Sequence, residues 1–200
     1  MTRFLFAVII SLMSMTATAK SIVVLGDSIS AGYGIEVAQG WVTLLQKKLD
    51  ENGAGHIIHN ESISGDTTAG GLARIDQALT LHKPDVVIVE LGANDGLRGL
   101  PPDLIKSNLA GIADRARQAG AKVLLLGMKI PPNYGKRYTD LFYAIYPQLA
   151  TELGMPYVPF IMEDVALSKD MMQQDGLHPN AEGQPAIADK VRPQLLLLLK

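Results

Sequence analysis

Two hydrophobic periods alternate along this chain, and that alternation limits the folds open to it. Short unbroken apolar runs, rich in Val and Ile, are separated by longer stretches whose apolar residues recur every three or four positions. The runs at 22–25, 56–60, 85–91, 123–127 and 156–160 predict five strands. The stretches at 39–49, 67–81, 101–119, 138–153 and 181–199 predict helices. A strand that is apolar at consecutive positions must be covered on both faces, as happens in a parallel sheet flanked by helices. The expectation is one doubly wound α/β domain with three layers, α/β/α. Pro193 lies inside the last helical stretch, so a kink or break is expected there.

Bulk composition narrows the partners. The chain has 200 residues, is 48% hydrophobic and 19% charged, and carries a net charge of −2. Neither nucleic acid nor an anionic membrane surface is an expected partner for such a balance. With no cysteine, a disulfide framework, a thiolate metal site and a cysteine nucleophile are all excluded. Residues 1–19 read as a cleaved export leader: Arg3, an apolar stretch over 4–12, and the small-x-small site Ala17-Thr18-Ala19. The apolar stretch is about half the ~20 residues that a membrane-spanning helix needs. There is also no cysteine to take a lipid. The expected product is a periplasmic or secreted domain, residues 20–200, with no stable membrane anchor.

In an open parallel sheet, ligands bind beyond the carboxyl ends of the strands. Four polar, glycine-rich clusters follow predicted strands: Gly26-Asp27-Ser28, Ser64-Gly65-Asp66, Gly92-Ala93-Asn94-Asp95-Gly96 and, beyond a loop, Asp175-Gly176-Leu177-His178. Each alone could be an ordinary turn. Together on one sheet edge they supply what acyl transfer needs. Ser28 leaves a strand at a turn that exposes its hydroxyl. His178 is a base for that hydroxyl, and Asp175, three residues earlier, can meet the imidazole within one turn. Ser28 and Gly65 offer backbone N–H groups, and Asn94 a side-chain amide, to an oxyanion. His56 and His59 are three apart in a predicted strand and should face opposite ways, which disfavours a shared metal ion. His82 is expected in solvent at a helix end.

These blocks resemble those of the SGNH (GDSL-type) hydrolase superfamily. The similarity extends through Leu25-Gly26-Asp27-Ser28, Ile63-Ser64-Gly65-Asp66-Thr67, residues 89–99, Pro132-Asn133-Tyr134-Gly135 and residues 175–180, and is strongest to the thioesterase, lysophospholipase and arylesterase branch. The resemblance implies a flavodoxin-like five-stranded sheet and a Ser28-Asp175-His178 triad, with no metal or cofactor. It also implies hydrolysis of acyl thioesters, aryl esters and lysophospholipids. Ala93 stands where glycine is expected in that branch. Ile130, Tyr134 and Tyr138, in and beside a Pro/Gly-shaped loop after the fourth strand, are expected to form an apolar wall for the acyl chain, and the enzyme is expected to act as a monomer. A carbohydrate deacetylase of the same superfamily is one competing reading. A flavodoxin-like binding protein without turnover is another, although the loop after the first strand has no phosphate-cradling glycine pattern.

Overall fold

The computed structural model describes residues 18–51 and 53–200, so most of the predicted leader lies outside the described residues. Five parallel strands form one sheet: β1 (Ser21–Gly26), β2 (Ile57–Asn60), β3 (Val86–Glu90), β4 (Lys122–Leu126) and β5 (Tyr157–Val158), in the order β2-β1-β3-β4-β5. The helices are α1 (Ser28–Ala31), α2 (Trp41–Asp50), α3 (Thr68–His82), α4 (Ala93–Leu97), α5 (Pro102–Gln118), α6 (Lys136–Glu152) and α7 (Gln184–Leu198). Helices α2 and α7 pack together as one layer, and α3, α5 and α6 as the other. Both faces of the sheet are therefore covered. Ile22, Val23, Val24 and Leu25 are fully buried, as are Val86, Val87 and Ile88, which is why the central strands read as unbroken apolar runs.

Sheet order decides where a site can form. β1 and β3 are neighbours, and the crossovers that leave them run in opposite directions, β1 to β2 and β3 to β4. This is the switch point of a doubly wound sheet, where a crevice opens beyond the strand ends. At that edge Gly26 is in register with Glu90. At the opposite edge, where the strands begin, two contacts tie β1 and α7 to their neighbours. Lys20 Nζ pairs with Asp85 Oδ1 at 2.9 Å, and Lys122 Nζ donates to the Leu198 carbonyl at 2.7 Å.

Three expectations about the fold need correction. The last strand is Tyr157–Val158, shorter than 156–160, because Pro156 and Pro159 have no N–H to give a neighbour. The last helix does not break. A short 3₁₀ turn (Ala181–Gly183) leads into α7, which runs through Pro193 to Leu198. The carbonyl that Pro193 leaves without a donor belongs to Asp189. Both residues are exposed, so water can take the lost bond. His82 does not project into solvent: its side chain is 13% exposed and its Nε2 lies 2.6 Å from Glu61 Oε1. The ring stacks on His59 with centroids 4.0 Å apart.

Candidate active site

Ser28 opens α1 directly after β1. The first turn is fixed by Asp27, whose Oδ1 accepts from the Ile29 amide at 3.0 Å, and Gly32 closes it in a left-handed conformation (φ 72°). So short a turn between strand and helix holds the serine hydroxyl at the end of the sheet. The second contributor is the long segment between β5 and α7, where Asp175 and His178 share one turn that Gly176 closes with φ 67°. Asp175 Oδ1 accepts from the amides of Leu177 and His178 at 2.9 and 3.0 Å, and its Oδ2 lies 2.7 Å from His178 Nδ1. Desolvation works to raise the Asp175 pKa. The hydrogen bonds from the His178 ring and from the two amides outweigh it and hold the pKa at about 2. An ionised carboxylate only accepts, so the Nδ1 nitrogen facing it carries the proton. His178 Nε2 is then free as an acceptor, and Ser28 Oγ lies 2.8 Å away.

Two contacts that sequence reasoning missed join these distant segments. Gln173 Nε2 donates to the carbonyls of Tyr33 (2.7 Å) and Pro179 (3.1 Å), while the Gln173 amide donates to the His178 carbonyl at 2.8 Å. One side chain thus ties the loop bearing the imidazole to the turn that follows Ser28. The Tyr33 ring lies against the His178 ring, centroids 4.8 Å apart. Neither residue carries a local signal, because both act across a long sequence separation.

The donors expected for an oxyanion come from the two neighbouring loops. Asn94 is on α4, and its Nδ2 donates to Asp27 Oδ2 at 3.0 Å, which leaves its second N–H available. Gly65, with φ 82° and open space where a Cβ would stand, belongs to the exposed loop after β2. That loop is held to the end of β1 by the Ile63 amide on the Gly26 carbonyl (3.0 Å), and Arg98 donates to the Gly65 carbonyl at 3.0 Å. Thr68 at the start of α3 joins the two loops, giving its amide and hydroxyl to the buried Asp95 carboxylate at 2.9 and 2.5 Å.

Ser28, Asn94 and His178 line one cleft with Ile29, Leu97, Met128, Ile130, Met162 and Leu177, so its walls are apolar around a polar floor. The cleft is small, about 60 Å³. It continues through Ile130, Met162 and Leu177 into a groove of about 300 Å³ that runs past Tyr143, Phe160 and Met172. Of the three residues expected to wall this space, Ile130 does so. Tyr134 and Tyr138 do not: their hydroxyls donate to the carbonyls of Leu97 (3.0 Å) and Leu100 (2.7 Å), and they border a separate surface depression. Met128, Met162 and Leu177 were not anticipated. Among the described residues no cluster of three or more His, Cys, Asp or Glu is arranged to hold a metal ion.

Comparison with known proteins finds similarity over most of the chain. Residues 24–186 match the GDSL-like Lipase/Acylhydrolase family. The chain is 48% identical over 188 residues to Esterase TesA of Pseudomonas aeruginosa, which covers 94% of each protein. It is 44% identical over 192 residues to Thioesterase 1/protease 1/lysophospholipase L1 of Escherichia coli, covering 96% of this chain and 90% of that one. A crystal structure of TesA superposes with a TM-score of 0.87 at 49% identity, covering 90% of this chain and 99% of that one.

Proposed function

The chain belongs to the GDSL-like lipase/acylhydrolase family, and on that premise we propose that Ser28 is the nucleophile, His178 its base and Asp175 the group that orients the base. The enzyme hydrolyses acyl esters and thioesters. The observation that carries the residue assignment is the continuous relay, 2.7 Å from Asp175 to His178 and 2.8 Å from His178 to Ser28, at the floor of an apolar cleft. In the first half-reaction Ser28 Oγ bonds to the acyl carbon as its proton passes to His178 Nε2. The tetrahedral oxyanion takes hydrogen bonds from the Ser28 and Gly65 amides and the Asn94 side chain. Collapse breaks the bond to the leaving alcohol or thiol, which receives the proton from His178. Water then repeats the sequence on the acyl-enzyme, with His178 again as base, and releases the acid.

The groove that continues from the cleft suits an unbranched acyl chain with a varied leaving group, including a lysophospholipid. Its apolar lining speaks against a carbohydrate deacetylase. All members of the relay come from one chain, so a monomer is a sufficient working unit. Residues 1–19 are proposed as an export leader, with the mature enzyme in the periplasm or outside the cell. No helix among the described residues is long and apolar enough to cross a membrane. The test is covalent labelling with a fluorophosphonate. Wild type should label with loss of activity, and Ser28→Ala should neither label nor turn over, a loss of about 10⁶ in kcat by the measured case of a serine triad. Residual turnover of one tenth by Ser28→Ala would remove the serine from the mechanism.

A further inference from the structure

Two carboxyl groups lie beneath the nucleophile and take no part in the relay. Asp27 precedes Ser28, and Glu90 ends β3 beside Gly26; both are fully buried. A buried carboxylate is costly unless hydrogen bonds hold it, and two that sense each other cannot both ionise cheaply. Their partners decide which one keeps the charge. Asp27 receives an N–H on each oxygen, from the Ile29 amide and the Asn94 side chain, both at 3.0 Å. Glu90 Oε2 accepts from Ser30 Oγ at 2.6 Å and from the Asp27 amide at 3.2 Å, while its Oε1 is buried with no protein partner. An unpartnered oxygen is tolerable on a carboxylic acid and expensive on a carboxylate. Glu90 is therefore the acid of the pair and Asp27 the anion. Desolvation first, and then the Asp27 charge, push the Glu90 pKa well above the ordinary carboxyl range, in keeping with this division.

An Asn side chain fits its site nearly as well with amide oxygen and nitrogen exchanged. In one orientation Asn94 offers an N–H to the cleft; in the other it would offer a carbonyl, which repels an oxyanion. A carboxylate accepts and cannot donate, so it tolerates the nitrogen of Asn94 at its side and rejects the oxygen. We propose that Asp27 is a positioning residue for acyl transfer: as an acceptor-only anion it holds the Asn94 amide in the orientation that turns an N–H toward the reacting carbonyl. Its other oxygen fixes the turn that carries Ser28, so one charge aligns the nucleophile and an oxyanion donor together. The proposal rests on the nucleophile assignment above and adds a requirement that assignment does not contain.

Protonation of Asp27 would turn it into a possible donor and free the Asn94 amide to rotate. Burial raises the Asp27 pKa to about 6, against the hydrogen bonds from Ile29 and Asn94 and the charge of His178. The titratable and charged groups facing this pair are His178 from the loop before α7 and the Tyr146 hydroxyl on α6, with the Arg74 guanidinium on α3 donating to the Gly26 carbonyl beside it at 3.2 Å. Acidification should therefore remove the Asp27 anion from the wild type.

The experiment compares wild type, Asp27→Asn, Asn94→Ala, the double variant and Ser28→Ala on one activated ester. Asp27→Asn should lose on the order of ten- to a hundredfold in kcat, no more than the ~10²–10³ that losing an oxyanion donor outright costs, with KM nearly unchanged. The double variant should be no slower than Asn94→Ala, because the amide oxygen left by Asp27→Asn can still accept from the Ile29 amide and only the contact to Asn94 is lost. The acid limb of kcat should be less steep in Asp27→Asn than in wild type, by the one proton that Asp27 takes up. Infrared spectroscopy of the wild type at neutral pH should show a protonated carboxyl band that Glu90→Gln removes, a measurement that does not depend on Asp27→Asn folding. The proposal is overturned if Asp27→Asn keeps kcat within twofold, if the two losses multiply, or if that band is absent. Turnover by Ser28→Ala would instead overturn the nucleophile assignment, which separates the two failures.

Discussion

Truncating Leu177 to alanine should shorten the effective acyl groove while leaving the chemistry in place. Leu177 borders both the cleft at Ser28 and the groove beyond it, and its side chain is partly open to solvent, with the residue 38% exposed. Its backbone N–H, which binds Asp175, survives the substitution. Each methylene taken fully out of water contributes ~0.8 kcal/mol. The four methylenes that separate a butyryl from an octanoyl chain would therefore contribute ~3 kcal/mol in an enclosed tunnel, and about half that in a groove open along one side. That predicts kcat/KM roughly tenfold higher for octanoyl than for butyryl esters in the wild type. Losing one wall should remove about 1 kcal/mol of this, a roughly fivefold fall on the octanoyl ester and less than twofold on the acetyl ester. The assay is kcat/KM across a p-nitrophenyl ester series, with thermal melting as a control. Equal losses at every chain length would show that the chain does not lie along Leu177. Tyr134→Ala, whose hydroxyl serves the Leu97 carbonyl outside the groove, should leave the chain-length profile as it was.

Other predictions concern the relay and its frame. Asp175→Asn should lower kcat by about 10⁴, the cost of presenting the wrong imidazole tautomer to the serine; a loss below tenfold would move the orienting role to another carboxylate. Because the Asp175 pKa is lowered from 3.8 to about 2, its contribution to stability is fully present above about pH 4 and is lost as pH falls through 2. Acid unfolding of Asp175→Asn should therefore lack that component in chemical denaturation at stepped pH. Gln173→Ala should lower kcat about tenfold with KM nearly unchanged, because it frees the imidazole loop from the nucleophile's turn; an unaltered kcat would show that Tyr33 and the backbone suffice. Gly127→Ala would set a Cβ 1.9 Å from the Pro159 carbonyl oxygen, and the forced backbone shift should cost at least ~2 kcal/mol in a denaturant melt.

The sequence disclosed most where local chemistry and global position coincide. The central strands were legible because burial on both faces leaves an unbroken apolar run, and β3 (Val86–Glu90) is the clearest case. The Asp175–His178 contact was legible for a similar reason: the two are three residues apart on one glycine-closed turn, so it is local. Residues whose partners lie far along the chain were hidden. Tyr134 and Tyr138 look like wall material until the carbonyls of Leu97 and Leu100 claim their hydroxyls. His82 looks like a surface group until β2 brings His59 and Glu61 beside it. Glu90 carried a signal that could have been read, a charge closing a strand otherwise made of Val and Ile. Its partner, however, is set by the β1–β3 register, which no local pattern encodes. Pro193 misled because the cost of an interior proline depends on whether the stranded carbonyl is wet.

The separation between the two edges of the sheet has a practical side. Lys20 at the start of β1 and the last turn of α7 beside Lys122 both mark the edge where strands begin, while the cleft opens beyond the edge where they end. A support, a fusion partner or a display scaffold attached just after α7 would therefore stand behind the enzyme with respect to incoming acyl substrates. Bulky leaving groups and micellar substrates would approach from the free side. Orientation on a surface, usually something an immobilisation chemistry must impose, follows here from the strand direction alone.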